Sequence, residues 1–584
     1  MIDNKHINKI IILLVIFALI FTFVFSLKPD LIGIKSSENK PEYAKKTLFD
    51  KEKISTINII VDPDKWQEML KNATSEEYIL CDITINGDTF QAVGIRPKGN
   101  SSLNTIAKSD SDRYSFKIKM DKYVKDQSYF GLGKFVINNM IGDATYMKEY
   151  LSYELFSYLE VNTPLYAFSE IFINGEYWGL YLTVESIEEE YLQRNFGLDY
   201  GNLYKPETSN IEENKGNQFE NRINFQFEEM MPPDNNQMNI EKMPTDPENI
   251  EENKGNQFEN RMNFHFGEMM PPDNNQMNTE KMPTDPENIE RHNNIKDRMN
   301  FQKENPATKS FESNLNNQFP TNHFNKESIN GGADLIYLDD NIESYPQIFD
   351  QAVTKVSDKD KKKIIEVLKA LSNNESEENI KKYINVEQVL SYFAANTYLV
   401  NLDSYVGNFK HNYYLYEKNG KVSILPWDLN LSFAGFQSGN ATSAVNFPID
   451  TPVAGGISLE DRPLISTLLK NEKFVETYYD KLQKIVVEYF ENGLFNESIN
   501  KIDELISQSV KNDPTKFYSY QEYKLAIETL KKYGDLRTKS IRGQLEGSVP
   551  STSEEQSKDP KALIEASTIN ISLLGTMGGE KIRN

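Results

Sequence analysis

Asp403-Ser-Tyr-Val-Gly-Asn408 sets an acid and an amide five residues apart, and Leu425-Pro426-Trp427-Asp428 brings a second acid soon afterwards. Between them, Tyr413–Tyr416 and Val422–Leu425 are β-prone runs joined by Asn419-Gly420, a tight-turn pair. A hairpin returns both its ends to one edge, so Asp428 is expected beside Asp403 and Asn408. Three oxygen-bearing side chains at one hairpin mouth suit phosphoryl transfer: Asp403 as the proton acceptor, Asn408 and Asp428 as ligands of a hard cation carrying phosphates. The plainer reading makes these residues caps and turn formers. Support from below favours chemistry, because Glu387 to Asn401 has apolar residues at helical spacing and the acids leave that buried helix on a short loop.

Strands come earlier in the chain. Ile57–Val61 is strand-like, Asp62 is placed to cap a short helix, and Tyr78–Ile85 and Phe90–Arg96 flank the turn residues Asn86-Gly87-Asp88. Arg96-Pro-Lys-Gly-Asn-Ser-Ser102 leaves a strand with a glycine, two hydroxyls and two cations. Such loops hold phosphates through backbone N–H groups and charge, so Asn100, Ser101 and Ser102 are phosphate-loop candidates, with Arg96 and Lys98 supplying charge; a basic turn is the alternative. In Tyr114–Met120, Phe116, Ile118 and Met120 share one strand face and Lys117 and Lys119 the other. In the helix expected over Tyr146–Glu160, Met147, Leu151, Leu155 and Tyr158 define the buried face, with Glu154 on its margin and Glu149 opposite. Ala167–Ile173 and Tyr177–Val184 form a second hairpin about Asn174-Gly175, ending at Glu185.

Five words of this sequence resemble, in order, the spore coat protein H (CotH) family of atypical kinase-like proteins. They are Arg96–Ser102, Ser115–Asp121, Gly175–Glu185, Gly201-Asn-Leu-Tyr-Lys205 and the block Asp403–Asp428. The resemblance runs from about residue 54 to about 545. It implies an α+β, two-lobed kinase-like fold and an ATP- and Mg²⁺- or Mn²⁺-dependent protein Ser/Thr kinase acting on coat or envelope proteins. It makes Lys117 the lysine that pairs the ATP phosphates, Glu154 its carboxylate partner, and Glu185 a holder of ribose or adenine between the lobes. Two departures from ordinary kinases stand out: Asn401-Leu402, not His-Arg, precede Asp403, and Asp428 follows Pro-Trp. A nucleotidylating or amino-acid-ligating enzyme, or an inactive coat scaffold, are the competing readings.

Composition limits the partners. A formal net charge of −23 and the lack of a basic stripe argue against nucleic acid. The lone cysteine, Cys81, rules out a disulfide framework and reads as a small buried strand residue. Residues 1–9 form a leader with Lys5 and Lys9, and residues 10–26 are an uncharged apolar run, read as an uncleaved membrane anchor that puts the body on the outer side, with the forespore surface another setting. A charged tether (27–53), a first kinase-like part (54–206), an insertion (207–330), a second kinase-like part (331–545) and a polar tail (546–584) follow. The insertion repeats Asn210–Arg222 at Asn249–Arg261, a period of 39, and is rich in Asn, Pro, Met and Glu. It lacks the apolar helix faces that stacked repeats bury, so it is expected to be disordered.

Overall fold

Alternating apolar residues build seven strands in the first half of the chain: β1 (Ser55–Ile60), β2 (Ile79–Ile85), β3 (Asp88–Lys98), β4 (Ser115–Lys119), β5 (Lys134–Asn138), β6 (Tyr166–Ile173) and β7 (Glu176–Glu185). They close into a barrel in the order β1-β2-β3-β4-β5-β7-β6. The β1–β6 pair is parallel and every other neighbour antiparallel. Closure removes the bare edges an open sheet would expose. Inside lie Ile57, Ile59, Ile83, Ile95, Phe116, Ile118, Phe135 and Ile137, all fully buried. Cys81 joins them, and burial pushes its thiol up to about 12, in keeping with a structural strand residue.

The computed structural model describes residues 42–208, 331–373 and 376–575. The expected leader, the anchor at 10–26 and residues 209–330 of the insertion lie outside them. Among the described residues no helix is long and apolar enough to cross a membrane. The principal helices are α1 (Pro63–Lys71), α2 (Lys148–Tyr158), α3 (Glu189–Phe196), α4 (Asp358–Ser372), α5 (Val386–Tyr398), α6 (Glu472–Lys484), α7 (Leu494–Asn512) and α8 (Tyr520–Glu546). Three further strands, β8 (Asn202–Tyr204), β9 (Tyr413–Lys418) and β10 (Lys421–Pro426), form a separate sheet in the order β10-β9-β8. The architecture is α+β, as expected, with the barrel before most of the helices.

Both ends of the described chain fold further than their polarity suggests. Residues 42–53, expected as tether, carry two short 3₁₀ turns that bury Tyr43, Leu48 and Phe49. Beyond Glu546, in the expected polar tail, Val549, Ala566 and Leu574 are buried. A few apolar residues spaced among many polar ones anchor these segments, a signal that average composition hides.

Arg113, fully buried, ties the barrel to the helices. It meets Asp513, just past α7, at 2.8 Å and donates to the carbonyl of Asn139 at 3.1 Å and to that of Leu180. Asp513 also accepts the Leu180 N–H at 2.9 Å. Burial alone would lower the guanidinium's pKa, but the charge of Asp513, the neighbouring Tyr181 and Tyr146, and the Asp513 hydrogen bond together outweigh it and raise it. Removing one partner leaves the other charge buried and unpaired. Asp513→Ala is therefore expected to lower the unfolding free energy by roughly 3–5 kcal/mol in urea titrations, whereas the paired replacement Arg113→Met with Asp513→Leu should cost clearly less.

Candidate active site

The β9–β10 hairpin forms with the expected turn. Asn419 and Gly420 take φ of 57° and 81°, the left-handed values a two-residue turn needs. Tyr413 pairs with Pro426, so residues just before β9 and just after β10 leave the same edge. Those residues are His411 and Asn412 on one side and Trp427 and Asp428 on the other. Asp403 is buried there with both carboxylate oxygens engaged. His411 Nε2 lies 2.6 Å from Oδ1, and Asn412 Nδ2 donates to Oδ2 at 3.0 Å and to the Asp403 carbonyl at 3.1 Å. Burial disfavours the His411 cation, yet the charge and hydrogen bond of Asp403 outweigh it, with Asp428 and Glu207 adding to the net rise in its pKa.

The loop that presents Asp403 is held from behind. Arg462, buried, donates to the carbonyls of Tyr405 at 2.7 Å and Gly407 at 2.6 Å. A Cβ on Gly407 would lie 1.7 Å from the Leu402 carbonyl oxygen, so no other residue fits. Arg537, also buried, donates to the carbonyls of Thr397 and Tyr398 at the end of α5, and to those of Val445 and Phe447. It satisfies helix-end carbonyls that otherwise lack partners. The helix leading to Asp403 is thereby fixed in place.

Opposite the hairpin stands the outer face of the barrel. Arg96 pairs with Lys117, Lys98 with Ser115 and Lys119 with Lys134, which puts the cations on one face and Ile95, Phe116, Ile118 and Phe135 on the other. Lys98 Nζ donates to Asn138 Oδ1 at 3.0 Å and lies 5.8 Å from the Trp427 ring centroid. Asn138 Nδ2 in turn donates to both oxygens of Glu149, at 3.1 and 2.9 Å. Glu149 is 1% exposed; burial and the charge of Asp428 raise its pKa to about 7, with Asn138 and Lys98 pulling it down. A lysine, an amide and an acid from the barrel side thus face Asp428 from the hairpin side. Asp428 has φ of 57°, a left-handed conformation that Asp tolerates better than most residues.

The remaining candidates lie elsewhere. Asn408 is exposed and its amide donates to Gln437 at 2.8 Å; the amide on Asp403 belongs to Asn412. Glu154 accepts from Tyr489 at 3.0 Å, and Lys117 pairs with Glu188 at 3.3 Å, so neither is the other's partner. The expected outward orientation of Glu149 is corrected: α2 is buried on nearly every side, and a one-faced helical wheel misassigns such a helix. Glu185 is fully buried, and its carboxylate is taken up by Arg194, Tyr43 and the Leu165 N–H, which leaves no oxygen for a ribose. Arg96 pairs with Glu76. After Gly99, at φ of 124°, Asn100 precedes the short helix Ser101–Ala107, with Asn100 and Ser101 exposed and Ser102 half-buried.

Among the described residues no three His, Cys, Asp or Glu side chains converge as a protein-only metal cage. Magnesium in nucleotide sites takes one or two protein ligands and completes its shell with phosphates and water. The Asp428 carboxylate with the Asn412 amide oxygen, its nitrogen being committed to Asp403, fits that chemistry. The family model for CotH kinase protein matches residues 95–326 and 287–541. No curated protein matches the chain.

Because Glu149's folded pKa is raised, its proton is held more tightly folded than unfolded. Its favourable contribution is complete below the ordinary value of 4.5 and is lost as pH rises through about 7. Relative to Glu149→Gln, the native chain should therefore lose up to roughly 3 kcal/mol of stability across that window and run parallel above it, as measured by urea unfolding in a pH series.

Proposed function

The chain belongs to the CotH kinase protein family, and on that premise we propose that it is an ATP- and divalent-metal-dependent protein kinase acting on Ser or Thr of coat or envelope proteins. In this reading the barrel and the helical part serve as the two lobes of a kinase-like fold. The observation that carries it is the convergence on Asp428 of two groups: Asp403 with His411 and Asn412 from the hairpin side, and Lys98-Asn138-Glu149 from the barrel side.

Asp403 is the proton acceptor. As the substrate hydroxyl oxygen bonds to the γ-phosphorus, the bond from that phosphorus to the ADP oxygen breaks, and the hydroxyl proton passes to Asp403. His411 and Asn412 fix both carboxylate oxygens, so the acid meets the hydroxyl in one orientation. Lys98, with Lys117 on the same barrel face, neutralises phosphate charge. Asn412 and Asp428 would hold a divalent cation, which would supply positive charge to the phosphates. Pre-set dipoles and charges of this kind supply most of the rate in phosphoryl transfer.

Purified chain with labelled ATP, Mg²⁺ or Mn²⁺ and a Ser-rich peptide should yield phosphopeptide, and chelation of the metal should stop it. Asp403→Ala, Asn412→Ala and Asp428→Ala should each lower kcat at least about 100-fold without loss of fold, while Asn408→Ala stays within about threefold of the native rate. Near-native labelling by folded Asp403→Ala or Asp428→Ala would refute the assignment. Mass spectrometry of the product, finding nucleotide or amino acid instead of phosphate, would redirect it to another ATP-dependent transfer.

A further inference from the structure

The end of the described chain reaches back to the helix that carries Glu149. The short turn Ile571–Leu574 buries Leu574, and the Leu574 carbonyl accepts the Ala144 N–H at 3.1 Å. The Gly575 carbonyl accepts from Lys148 Nζ at 2.7 Å, and the same ammonium donates to the Gly142 carbonyl at 3.1 Å. Lys148 is fully buried and is the first residue of α2, next to Glu149. Its ammonium bonds only to carbonyl oxygens in this seat, with Asp143 close enough to act through its charge. Gly575 sits at φ of 80°, and a Cβ there would lie 2.8 Å from each of Ala144 N, Gly142 O and Tyr518 Oη. The fit is backbone against backbone, with no room for a side chain.

The loop so gripped, residues 140–147, joins the site from its other side as well. Asn430, two residues past Asp428, donates to the Ile141 carbonyl at 2.9 Å. Asp143 accepts the N–H groups of Thr145 and Lys148 at 2.9 and 2.8 Å, which starts α2 at a set angle. The position of Glu149 relative to Asp428 therefore depends on a loop clamped between Asn430 and the segment 570–575.

We propose that residues Asn570–Gly575 are a strut that seats the start of α2 and thereby positions Glu149 against Asp428. As a role in catalysis the strut rests on the kinase reading above; as a mechanical coupling it does not. Its residues act through the start of α2 and not on the reacting atoms, so they are positioning residues. A partner or modification that drew this segment away would lower the transfer rate without entering the site.

The test uses the full chain, a chain ending at Gly575, a chain ending at Ile569, and Gly575→Ala. Hydrogen exchange is followed for peptides covering 140–158 and, as reference, α4. The chain ending at Ile569 and Gly575→Ala should each speed exchange over 140–158 about tenfold while α4 is unchanged, and the chain ending at Gly575 should match the full chain. Phosphate transfer should fall about tenfold in the same two variants, and a synthetic peptide of residues 566–584 in excess should restore the truncated chain. Unchanged exchange over 140–158 in Gly575→Ala, or in the folded chain ending at Ile569, overturns the strut. Should the full chain transfer no phosphate, the kinase reading falls, while the exchange comparison still decides whether the strut couples to α2. Should the chain ending at Ile569 unfold globally, Gly575→Ala alone decides.

Discussion

A buried carboxylate, Glu149, facing a half-buried one, Asp428, sets the terms of this structure. Glu149 comes from α2 on the barrel side and Asp428 from the end of the β9–β10 hairpin, and the charge of one raises the pKa of the other. Like charges in a buried place are costly unless a proton or a cation intervenes. Here Lys98 reaches Glu149 only through Asn138, so the local positive charge is held one amide away. Much of the remaining architecture keeps this pair from relaxing apart. Arg113 with Asp513 locks the barrel to the helices, Arg462 and Arg537 hold the loop and helix before Asp403, and Asn430 pins the loop before α2.

These three arginines share a mode of action. Each is buried, and each donates to two or more backbone carbonyls, with Arg113 adding the Asp513 carboxylate and the Thr515 hydroxyl. A guanidinium presents five donors in a fixed fork, so it can fix several carbonyls at once where a lysine could not. The same logic explains why the hairpin mouth is stiff: Asp403 is gripped by an imidazole and an amide. A site whose groups are already oriented needs little rearrangement when charge moves through it.

Much of this is legible in the amino-acid sequence. Asn419-Gly420 between two β-prone runs predicts the hairpin, and the hairpin alone brings Asp428 back toward Asp403. The helix Asp358–Ser372 opens on a local signal, Ser357 and Asp360 forming a capping box. Other features depend on tertiary context. Glu149 and Glu154 cannot be ranked by a helical wheel when α2 packs against barrel and helices at once; Phe156 against Tyr392, with centroids 5.3 Å apart, shows the second side. Asn408 at the kinase-like spacing and Asn412 beside His411 are equal as sequence, and only the register of Tyr413 with Pro426 favours the latter. The resemblance assigns Glu185 to ribose or adenine, whereas its partners, Tyr43 and Arg194, come from segments with no recognisable motif. Barrel closure through the parallel β1–β6 pair, and the return of residues 570–575 to α2, are long-range pairings with no local signature.

The proposed chemistry requires a nucleotide-borne cation between the hairpin and the barrel. The most direct measurement is anomalous X-ray diffraction from crystals of the protein grown with ATP and Mn²⁺. The expected result is a manganese peak at coordination distance, about 2 Å, from the Asp428 carboxylate, with the triphosphate extending toward Lys98. Bound nucleotide whose metal lies away from Asp428, or nucleotide held on another surface altogether, would contradict it.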